Sequence, residues 1–419
     1  MPFDRSISRR GFLAAAGAVG AAIGLSACST SRVPTVTLYE TKSEVVQQFR
    51  QFVADLNGQQ STYHFVHDLA TNLSASFVRN SPPDLGCLNY NLEMSRFMER
   101  GALSDLSDMP EAGRIRSDVL DLVDWYPGYE SRTSVIPFSA MAAAVIYNKR
   151  IFADNGLEVP TTWDELIDVC ERLQAAGITP IYATFADSWT IAQGWFDYAV
   201  GGMVDVRDFY TRMNELGEQV GPDSEVSYQS TLLEPVQRMM ELVPYTNDDR
   251  ASRAYGDGNT AMSAGGAAMY LQGPWALLEI SKAETDVDLG TFPLPMTDDP
   301  ADLKARINID LSLWIPEAAG HPDGAREMLQ YLMQPEIQHP YNELALGFST
   351  TTDAPAVTDP WISGLQEYYD SGRFYMGASQ FVPKTIPYEG YLQSIALGSD
   401  PRTVLAQLDS DWSRLAYRA

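Results

Sequence analysis

Hydrophobic positions near the start of the folded region alternate between strand-like and helical spacing. Residues 35–39 and 63–66 are short runs of β-branched and aromatic side chains, which are typical of buried strands. Between them, the apolar residues of 43–56 recur at helical spacing, and Ser43 is predicted to cap that helix. Strands that alternate with helices predict an α/β fold with a mostly parallel sheet. Ligands of such folds bind beyond the carboxyl ends of the strands, so Glu40 is predicted to lie near a cleft.

A second strand end carries three polar or aromatic side chains in a row. Residues 82–88 form a Pro-rich turn followed by an apolar run, which predicts another buried strand. Asn89, Tyr90 and Asn91 follow it directly. These residues are either ligand contacts at the cleft or ordinary loop residues, and the pattern alone leaves both interpretations open.

The stretch 256–280 combines small residues, an apolar run, a Gly273-Pro274 break and Trp275. It predicts a helix, a buried strand, a tight turn and a second helix, because Pro fits the first turn of a helix and Gly permits close approach of the backbone. An indole beside exposed backbone suits a flat, partly apolar ligand. The alternative is that Trp275 is a core residue.

Length and composition set the broad class of the protein. With 419 residues, 45% of them hydrophobic and 11% aromatic, the chain is expected to form two folded lobes and not a disordered polymer. The formal net charge of −26 disfavours nucleic acid as a partner, and it makes an anionic ligand unexpected.

The amino terminus has the features of an export signal. Arg9-Arg10 is a twin-arginine pattern, and residues 11–27 are a small-residue apolar run that is too short to span a membrane. The run ends in Leu25-Ser26-Ala27-Cys28, which resembles the lipobox of bacterial lipoproteins. We therefore expect a signal peptide over 1–27, lipidation of Cys28, and a tether over 28–34 that anchors the protein to the membrane on the extracellular or periplasmic face. The alternative is an ordinary signal peptide with an incidental cysteine.

The remaining chemistry-bearing residues do not indicate an enzyme. Cys87 and Cys170 are expected to be small buried residues in different lobes and not a disulfide pair. The histidines lack metal-ligand spacing, and the sequence contains neither a G-x-S-x-G motif nor a phosphate-binding loop. The sequence therefore predicts no metal and no cofactor.

Residues 135–166 have a more specific pattern. It runs from Val135-Ile136-Pro137-Phe138 through Tyr147-Asn148-Lys149 to Pro160-Thr161-Thr162-Trp163-Asp164-Glu165-Leu166. Together with the element around Gly273-Pro274-Trp275, this pattern resembles the carbohydrate-binding solute-binding proteins of bacterial ABC importers, the group that includes maltose-binding protein. The resemblance covers about 35–415. At Gly347-Phe348-Ser349-Thr350 the chain lacks the proline that many members have.

The resemblance implies a two-lobe periplasmic-binding-protein fold of type II. Each lobe would be a mixed, mostly parallel sheet flanked by helices, with the ligand cleft between the lobes. The implied boundaries are 35–141 and 306–352 for the N-terminal lobe and 142–305 and 353–419 for the C-terminal lobe, with hinge crossings near Met141, Arg306 and Thr352.

The resemblance also directs attention to sugar-binding side chains. Aromatic faces cover the C–H patches of sugar rings, and carboxylates and amides accept or bridge hydroxyl groups. The predicted ligand contacts are Glu40, Asn89, Tyr90, Asn91, Phe138, Ser139, Trp189, Gly273, Trp275, Asp310, Phe348 and Tyr388. Trp163 and Trp195 are instead expected to pack in the core, and Thr162 to cap the helix that begins at Trp163.

The predicted function is capture of a sugar or oligosaccharide and its delivery, unaltered, to the transmembrane subunits of an ABC permease by a monomeric lipoprotein. One alternative is a binding protein for a polyol, peptide or polyamine. Another is a lipid-anchored glycosidase, which would need two carboxylates across a cleft. A purely structural surface lipoprotein is the remaining alternative.

Overall fold

The computed structural model describes residues 33–42, 44–126, 132–283 and 286–416. The predicted signal peptide over 1–27, Cys28, most of the tether and Ser43 lie outside the described residues. The first predicted strand and helix are present, but the helix begins at Val46 with Val45 as its N-cap and no side-chain cap. Among the described residues, no helix is both long enough and apolar enough to cross a membrane.

The strands follow the order of the predicted elements. They are β1 (Thr35–Tyr39), β2 (His64–Asp68), β3 (Leu85–Leu88), β4 (Ile136–Asn148), β5 (Ile181–Tyr182), β6 (Met269–Gln272), β7 (Leu289–Phe292), β8 (Ala305–Trp314), β9 (Phe348–Ser349) and β10 (Phe374–Met376).

Helices surround these strands. In chain order they are α1 (Val46–Asn57), α2 (Leu73–Val78), α3 (Leu92–Glu99), α4 (Ser117–Asp121), α5 (Lys149–Asp154), α6 (Trp163–Ala175), α7 (Ser188–Thr190), α8 (Asp197–Met203), α9 (Val206–Leu216), α10 (Tyr228–Glu241), α11 (Tyr255–Ser263), α12 (Pro274–Ser281), α13 (Pro322–Leu332), α14 (Pro335–Leu344), α15 (Gln366–Asp370), α16 (Tyr388–Ala396) and α17 (Pro401–Leu415). A π-helical segment, Ile191–Phe196, joins α7 to α8.

The strands form two sheets that share β4. In the first sheet, β2, β1 and β3 are parallel neighbours, β8 lies antiparallel between β3 and β4, and β9 and β10 extend it. In the second sheet, β4 pairs antiparallel with β6 and β7, and β5 is parallel to β6. Among the named strands, five pairs are antiparallel, each involving β4 or β8, and four are parallel, so the sheets are mixed and the parallel pairs do not predominate.

The strand β4 runs from the first sheet into the second. Its register with β8 ends at Ala143, which lies opposite Arg306, and its register with β6 begins at Ala144, opposite Gln272. Its partner β8 is a single strand over Ala305–Trp314. The continuous strand β4 therefore belongs to both sheets.

Local sequence signals explain several helix ends and core positions. Thr162 caps α6 in a capping box with Glu165, as predicted. Trp163 and Trp195 are buried, as expected for core residues. Cys87 and Cys170 are both buried and unpaired, which confirms that they do not form a disulfide.

Candidate functional site

A cavity of about 510 Å³ lies where the two sheets face each other. It is lined by Lys42, Glu44, Asn89, Trp189, Gln193, Tyr255, Trp275, Leu278, Glu279, Lys282, Asn308 and Asp310. We call Lys42, Asn89, Asn308 and Asp310 the polar wall, and Trp189, Tyr255 and Trp275 the aromatic wall. The volume falls within the range of about 300–1,000 Å³ that is usual for small-molecule sites.

An ion pair organises the polar wall. Lys42 Nζ lies 2.7 Å from Asp310 Oδ1 and 2.8 Å from Oδ2, and Asn89 Nδ2 donates to Oδ1 at 3.2 Å. The Asp310 residue is only 3% exposed. Burial of a carboxylate is unfavourable without such partners, and the pair fixes both side chains in orientations from which they can meet ligand hydroxyls.

Glu40 lies beneath this wall and not in it. Its side chain is fully buried, and Oε1 accepts a hydrogen bond of 2.5 Å from the backbone N–H of Lys42. The His67 Nε2 lies 2.8 Å from the backbone oxygen of Glu40. The structure thus corrects the placement predicted for Glu40, because its carboxylate turns back to its own chain and holds the segment that carries Lys42.

The aromatic wall depends on the start of α12. Pro274 occupies the first turn of this helix, and the half-buried Trp275 donates from Nε1 to Gln272 Oε1 at 3.1 Å. A Cβ on Gly273 would lie 2.3 Å from the Trp275 ring. Gly273 does not line the cavity itself. Its lack of a side chain is what allows the indole to occupy this position.

Trp189 and Tyr255 complete the aromatic wall from α7 and α11. Their ring centroids are 4.9 Å apart at 60°, a tilted contact of the kind that aromatic pairs favour. Burial raises the pKa of Tyr255 to about 12, so its hydroxyl stays protonated at neutral pH and can donate to a ligand.

The π-helical segment after α7 contributes Gln193 to the cavity. Its neighbours Trp195 and Phe196 are buried in the core. A Cβ on Gly194 would lie 2.1 Å from the carbonyl oxygen of Leu271, so this glycine lets the segment approach β6. Such π-helical turns are frequent at functional sites because they redirect one side chain within a helix.

Arg306 links the two walls from behind the cavity. It is 1% exposed, and its Nε donates to Asp197 Oδ2 at 2.8 Å. Its Nη1 donates to Asn308 Oδ1 at 2.8 Å, and its guanidinium carbon lies 5.9 Å from the Trp275 ring centroid. The residue opposite the point where β4 changes sheets therefore contacts one residue of each wall.

Comparison with known proteins identifies the family that has this architecture. Residues 40–339 match the family model described as bacterial extracellular solute-binding protein. The chain belongs to this family. In accordance with that membership, it superimposes on the apo form of RafE from Streptococcus pneumoniae with a TM-score of 0.78 at 18% identity, over 91% of this chain and 98% of RafE. This likeness confirms the predicted two-lobe α/β fold of type II.

Relatives of this solute-binding protein include a multiple sugar-binding protein of Streptococcus mutans. It is 22% identical over 358 residues, which cover 82% of this chain and 82% of that protein. An uncharacterised ABC transporter extracellular-binding protein of Pyrococcus horikoshii is 27% identical over 352 residues, or 82% of this chain and 72% of that protein. RafE in complex with raffinose superimposes with a TM-score of 0.75 at 19% identity, over 91% of this chain and 99% of RafE.

Two other strand-end residues predicted for the solute site lie elsewhere. Tyr90 is 1% exposed, and its hydroxyl donates to the backbone oxygen of Val123. Asn91 caps α3 by accepting from the backbone N–H groups of Glu93 and Met94. Successive side chains at a strand end point in different directions, so only Asn89 of the three reaches the polar wall.

Three predicted contacts are buried in the core of the first sheet. Phe138 packs against Phe49 and Tyr341, Phe348 packs against Tyr369, and Ser139 is fully buried on β4. β4 pairs with β8 at these positions and β9 pairs with β4, and all three side chains are buried and do not line the cavity.

Tyr388 is half-buried beside Glu389 at the start of α16 and does not line the cavity. The predicted residues that do line it are Asn89, Trp189, Trp275 and Asp310. Among the described residues, no group of three His, Cys, Asp or Glu side chains is arranged to hold a metal ion.

Eight lining residues were not predicted: Lys42, Glu44, Gln193, Tyr255, Leu278, Glu279, Lys282 and Asn308. For Lys42 and Asn308 a signal existed, since the first follows β1 by three residues and the second lies two residues before Asp310 on the same strand, hence on the same face. Nothing local distinguishes Gln193, because its orientation depends on a π-helical turn.

Proposed function

We propose that this protein captures a sugar or oligosaccharide outside the cell and delivers it to the membrane subunits of an ABC importer. The observation that carries the proposal is the opposition of an aromatic wall and a polar wall across one cavity. Family membership supports solute binding, and relatives named for sugars, the multiple sugar-binding protein of Streptococcus mutans and RafE with raffinose, support the solute class.

The two walls suit the two chemical faces of a sugar. Trp275 and Trp189 offer flat apolar surface to C–H patches of a pyranose ring, while Asp310, Asn89 and Lys42 meet its hydroxyl groups. A hydroxyl in the wrong configuration would leave one of these buried polar groups unpaired, at a cost of about 1–3 kcal/mol. The polar wall is therefore proposed to select the configuration of the sugar, and the aromatic wall to supply contact area.

The carboxylates of the cavity favour binding over hydrolysis. Asp310 pairs with Lys42, Glu44 lies 3.8 Å from the same Lys42, and Glu279 lies 2.6 Å from Lys282. Each of these carboxylates therefore lies within ion-pair distance of a lysine, whereas a glycosidase needs two carboxyl groups that face the scissile bond from opposite sides. We therefore propose that no bond of the solute is made or broken.

We infer that the two lobes are 35–141 with 306–352 and 142–305 with 353–419, and that they close about the solute. The change of partner of β4 after Ala143, two residues beyond Met141, and the position of Arg306 on β8 support hinge crossings there. Closure of this kind would present a solute-dependent surface to the permease.

We further propose export by the twin-arginine signal, cleavage before Cys28, and acylation of this cysteine. The protein would then be a monomer anchored on the extracellular or periplasmic face of the cell membrane. The lipobox-like motif of residues 25–28 supports acylation of this cysteine. Because one acyl chain binds membranes only weakly, stable anchoring would need more than one chain.

A thermal-shift screen of the purified protein against mono- and oligosaccharides tests the proposed function. Hits are followed by calorimetry and by an assay for newly released reducing ends. We expect saturable binding with no release. Release of reducing ends would support the glycosidase, and tight binding of a peptide or polyamine with no sugar bound would assign a different solute.

A further inference from the structure

A second cavity, of about 470 Å³, adjoins the first at Asn89, which lines both. Its other lining residues come from the start of α2, the end of β3, and one side of α3. The apolar part includes Phe97, whose ring stacks on Phe77 with centroids 4.4 Å apart. The two cavities thus share one lining residue, Asn89.

Two arginines line this second cavity, and neither has a partner. Arg96 and Arg100 are four residues apart on α3 and its C-cap, so they lie on the same side of the helix. Within the part of the chain that the structure describes, neither guanidinium forms an ion pair or a side-chain hydrogen bond.

The chain has 55 Asp and Glu against 29 Lys and Arg, and other described arginines such as Arg50 and Arg79 also form no ion pair, but Arg96 and Arg100 are the two that line this cavity. Eleven other arginines among the described residues lie within ion-pair distance of a carboxylate. The acidic residue that lines the cavity, Glu93, is itself 2.7 Å from Lys384. The positive charge of Arg96 and Arg100 is therefore not balanced by Glu93.

We propose that the second cavity binds a carboxylate carried by the solute, so that the preferred ligand is an acidic oligosaccharide containing a uronic acid. One sugar ring occupies the first cavity against the aromatic wall, and the acidic residue next to it places its carboxylate between Arg96 and Arg100. This inference rests on the proposed function, because it extends the same solute beyond Asn89.

Charge and geometry both favour this assignment. Guanidinium groups bind carboxylates through paired, charge-assisted hydrogen bonds. The repulsion from distant surface acids is screened over about 8–10 Å at physiological ionic strength, so two nearby cations determine the local preference. The overall charge of −26 describes the whole surface and not this compartment.

The test compares two ligands that differ by one carboxylate. Neutral oligosaccharides of two to four units, and the same compounds oxidised at C6 of the terminal residue to a uronic acid, are titrated calorimetrically into wild type and into R96Q/R100Q. The matched control is R50Q/R79Q, which removes the same charge from two exposed arginines that line neither cavity.

We expect wild type to bind the acidic member of at least one pair about tenfold or more tightly than the neutral member, as one charge-assisted contact allows. R96Q/R100Q should lose this preference and keep its affinity for the neutral sugar, whereas R50Q/R79Q should keep both. Raising the salt concentration should reduce the preference for the acidic sugar in wild type and in R50Q/R79Q, the two proteins expected to show it. Sulfated and phosphorylated sugars of the same length identify whether another anionic group is bound in preference to the carboxylate.

The outcomes separate this inference from the proposed function. Equal affinities for neutral and acidic sugars in wild type, unchanged in R96Q/R100Q, would overturn the carboxylate subsite and leave sugar binding intact. If no sugar of either kind binds, the proposed function fails. Glucuronate and inorganic phosphate alone are then measured by thermal shift, and stabilisation that does not depend on Arg96 and Arg100 would overturn the subsite as well.

Discussion

Trp275 is the residue on which the solute site depends most. Its indole is half-buried, its Nε1 is fixed by Gln272, and Gly273 leaves the space that the ring occupies. The Trp275→Ala variant should lose at least about thirtyfold in affinity for the solute, since a well-packed interfacial Trp contributes about 2 kcal/mol or more. Calorimetric titration with the best sugar found by screening measures the loss.

Trp195→Ala is the matched control for this substitution. Trp195 is 3% exposed and packs against Phe185, so its removal should lower the free energy of unfolding by about 3–5 kcal/mol. Trp275→Ala should lower it much less. If Trp275→Ala unfolds as readily as Trp195→Ala and the folded fraction still binds sugar, Trp275 is a core residue and not a ligand contact.

Residue identity alone locates part of the site. Asn89 could be predicted because polar residues at strand ends of an α/β fold lie near the ligand edge, whereas Asp310 lies within β8 and was predicted through the family resemblance. The same rule selected Tyr90 and Asn91, yet one fills the core and the other caps α3. The rule gives the edge of the sheet, whereas the direction of each side chain depends on the packing that follows.

At the scale of elements, Asp409 joins two helices distant in sequence. It lies on α17 and accepts hydrogen bonds from the backbone N–H groups of Tyr228 and Gln229 at the start of α10. Burial raises the pKa of Asp409 to about 6, and these two N–H groups only partly oppose that rise. The charged form is therefore less favourable in the folded protein than in the unfolded chain.

The sign of the resulting pH dependence follows from linkage. Asp409 has a folded pKa of about 6 against about 3.9 unfolded, so its contribution to stability is full below pH ~4 and is lost as the pH rises through ~6. The difference in unfolding free energy between wild type and Asp409→Asn should fall by about 3 kcal/mol between pH ~4 and ~7. Urea unfolding at a series of pH values measures it.

Asp400→Asn provides the opposite control on the same helix. Hydrogen bonds from the side chain and backbone of Thr403 hold the pKa of Asp400 below its usual range. The contribution of Asp400 to stability is therefore present at a pH above that range and is lost as the pH falls. If the difference in unfolding free energy between wild type and Asp400→Asn also falls as the pH rises, the effect measured for Asp409 is not local.

Elements with strong local signals could be predicted from the sequence. The turn at Gly273-Pro274 starts α12 because proline suits the first helical turn. The π-helical segment Ile191–Phe196 has no comparable signal, since it depends on the close approach of Gly194 to β6. For the same reason Gln193 could not be predicted as a lining residue.

At the scale of the whole molecule, we expect solute binding to bring the lobes together. β4 and β8 are the strands that cross at the proposed hinge, and Glu93 lies 2.7 Å from Lys384, which belongs to the other of the two proposed lobes. Small-angle scattering should show a smaller radius of gyration when the best sugar is present at about 100 times its Kd. Binding at that concentration should stabilise the fold by about 2.7 kcal/mol.

Trp275→Ala at the same sugar concentration is the control for this measurement, because it should show neither compaction nor stabilisation. Full stabilisation of wild type with an unchanged radius of gyration would contradict lobe closure and indicate a rigid site. The two-lobe architecture itself could be predicted from length and from the motifs of 135–166, whereas the set of residues that line the cavity depends on how the chain packs.

The buried thiols of Cys87 on β3 and Cys170 on α6 have a practical consequence. Burial raises the pKa of Cys170 to about 12, and burial with the nearby Glu40 and Asp310 raises the pKa of Cys87. Since the thiolate is the form that reacts with electrophiles, a maleimide dye will label a cysteine introduced at Lys282, on the cavity rim, ahead of either native thiol. The protein labelled in this way is suited to use as a fluorescent reagent that reports the concentration of the solute it binds.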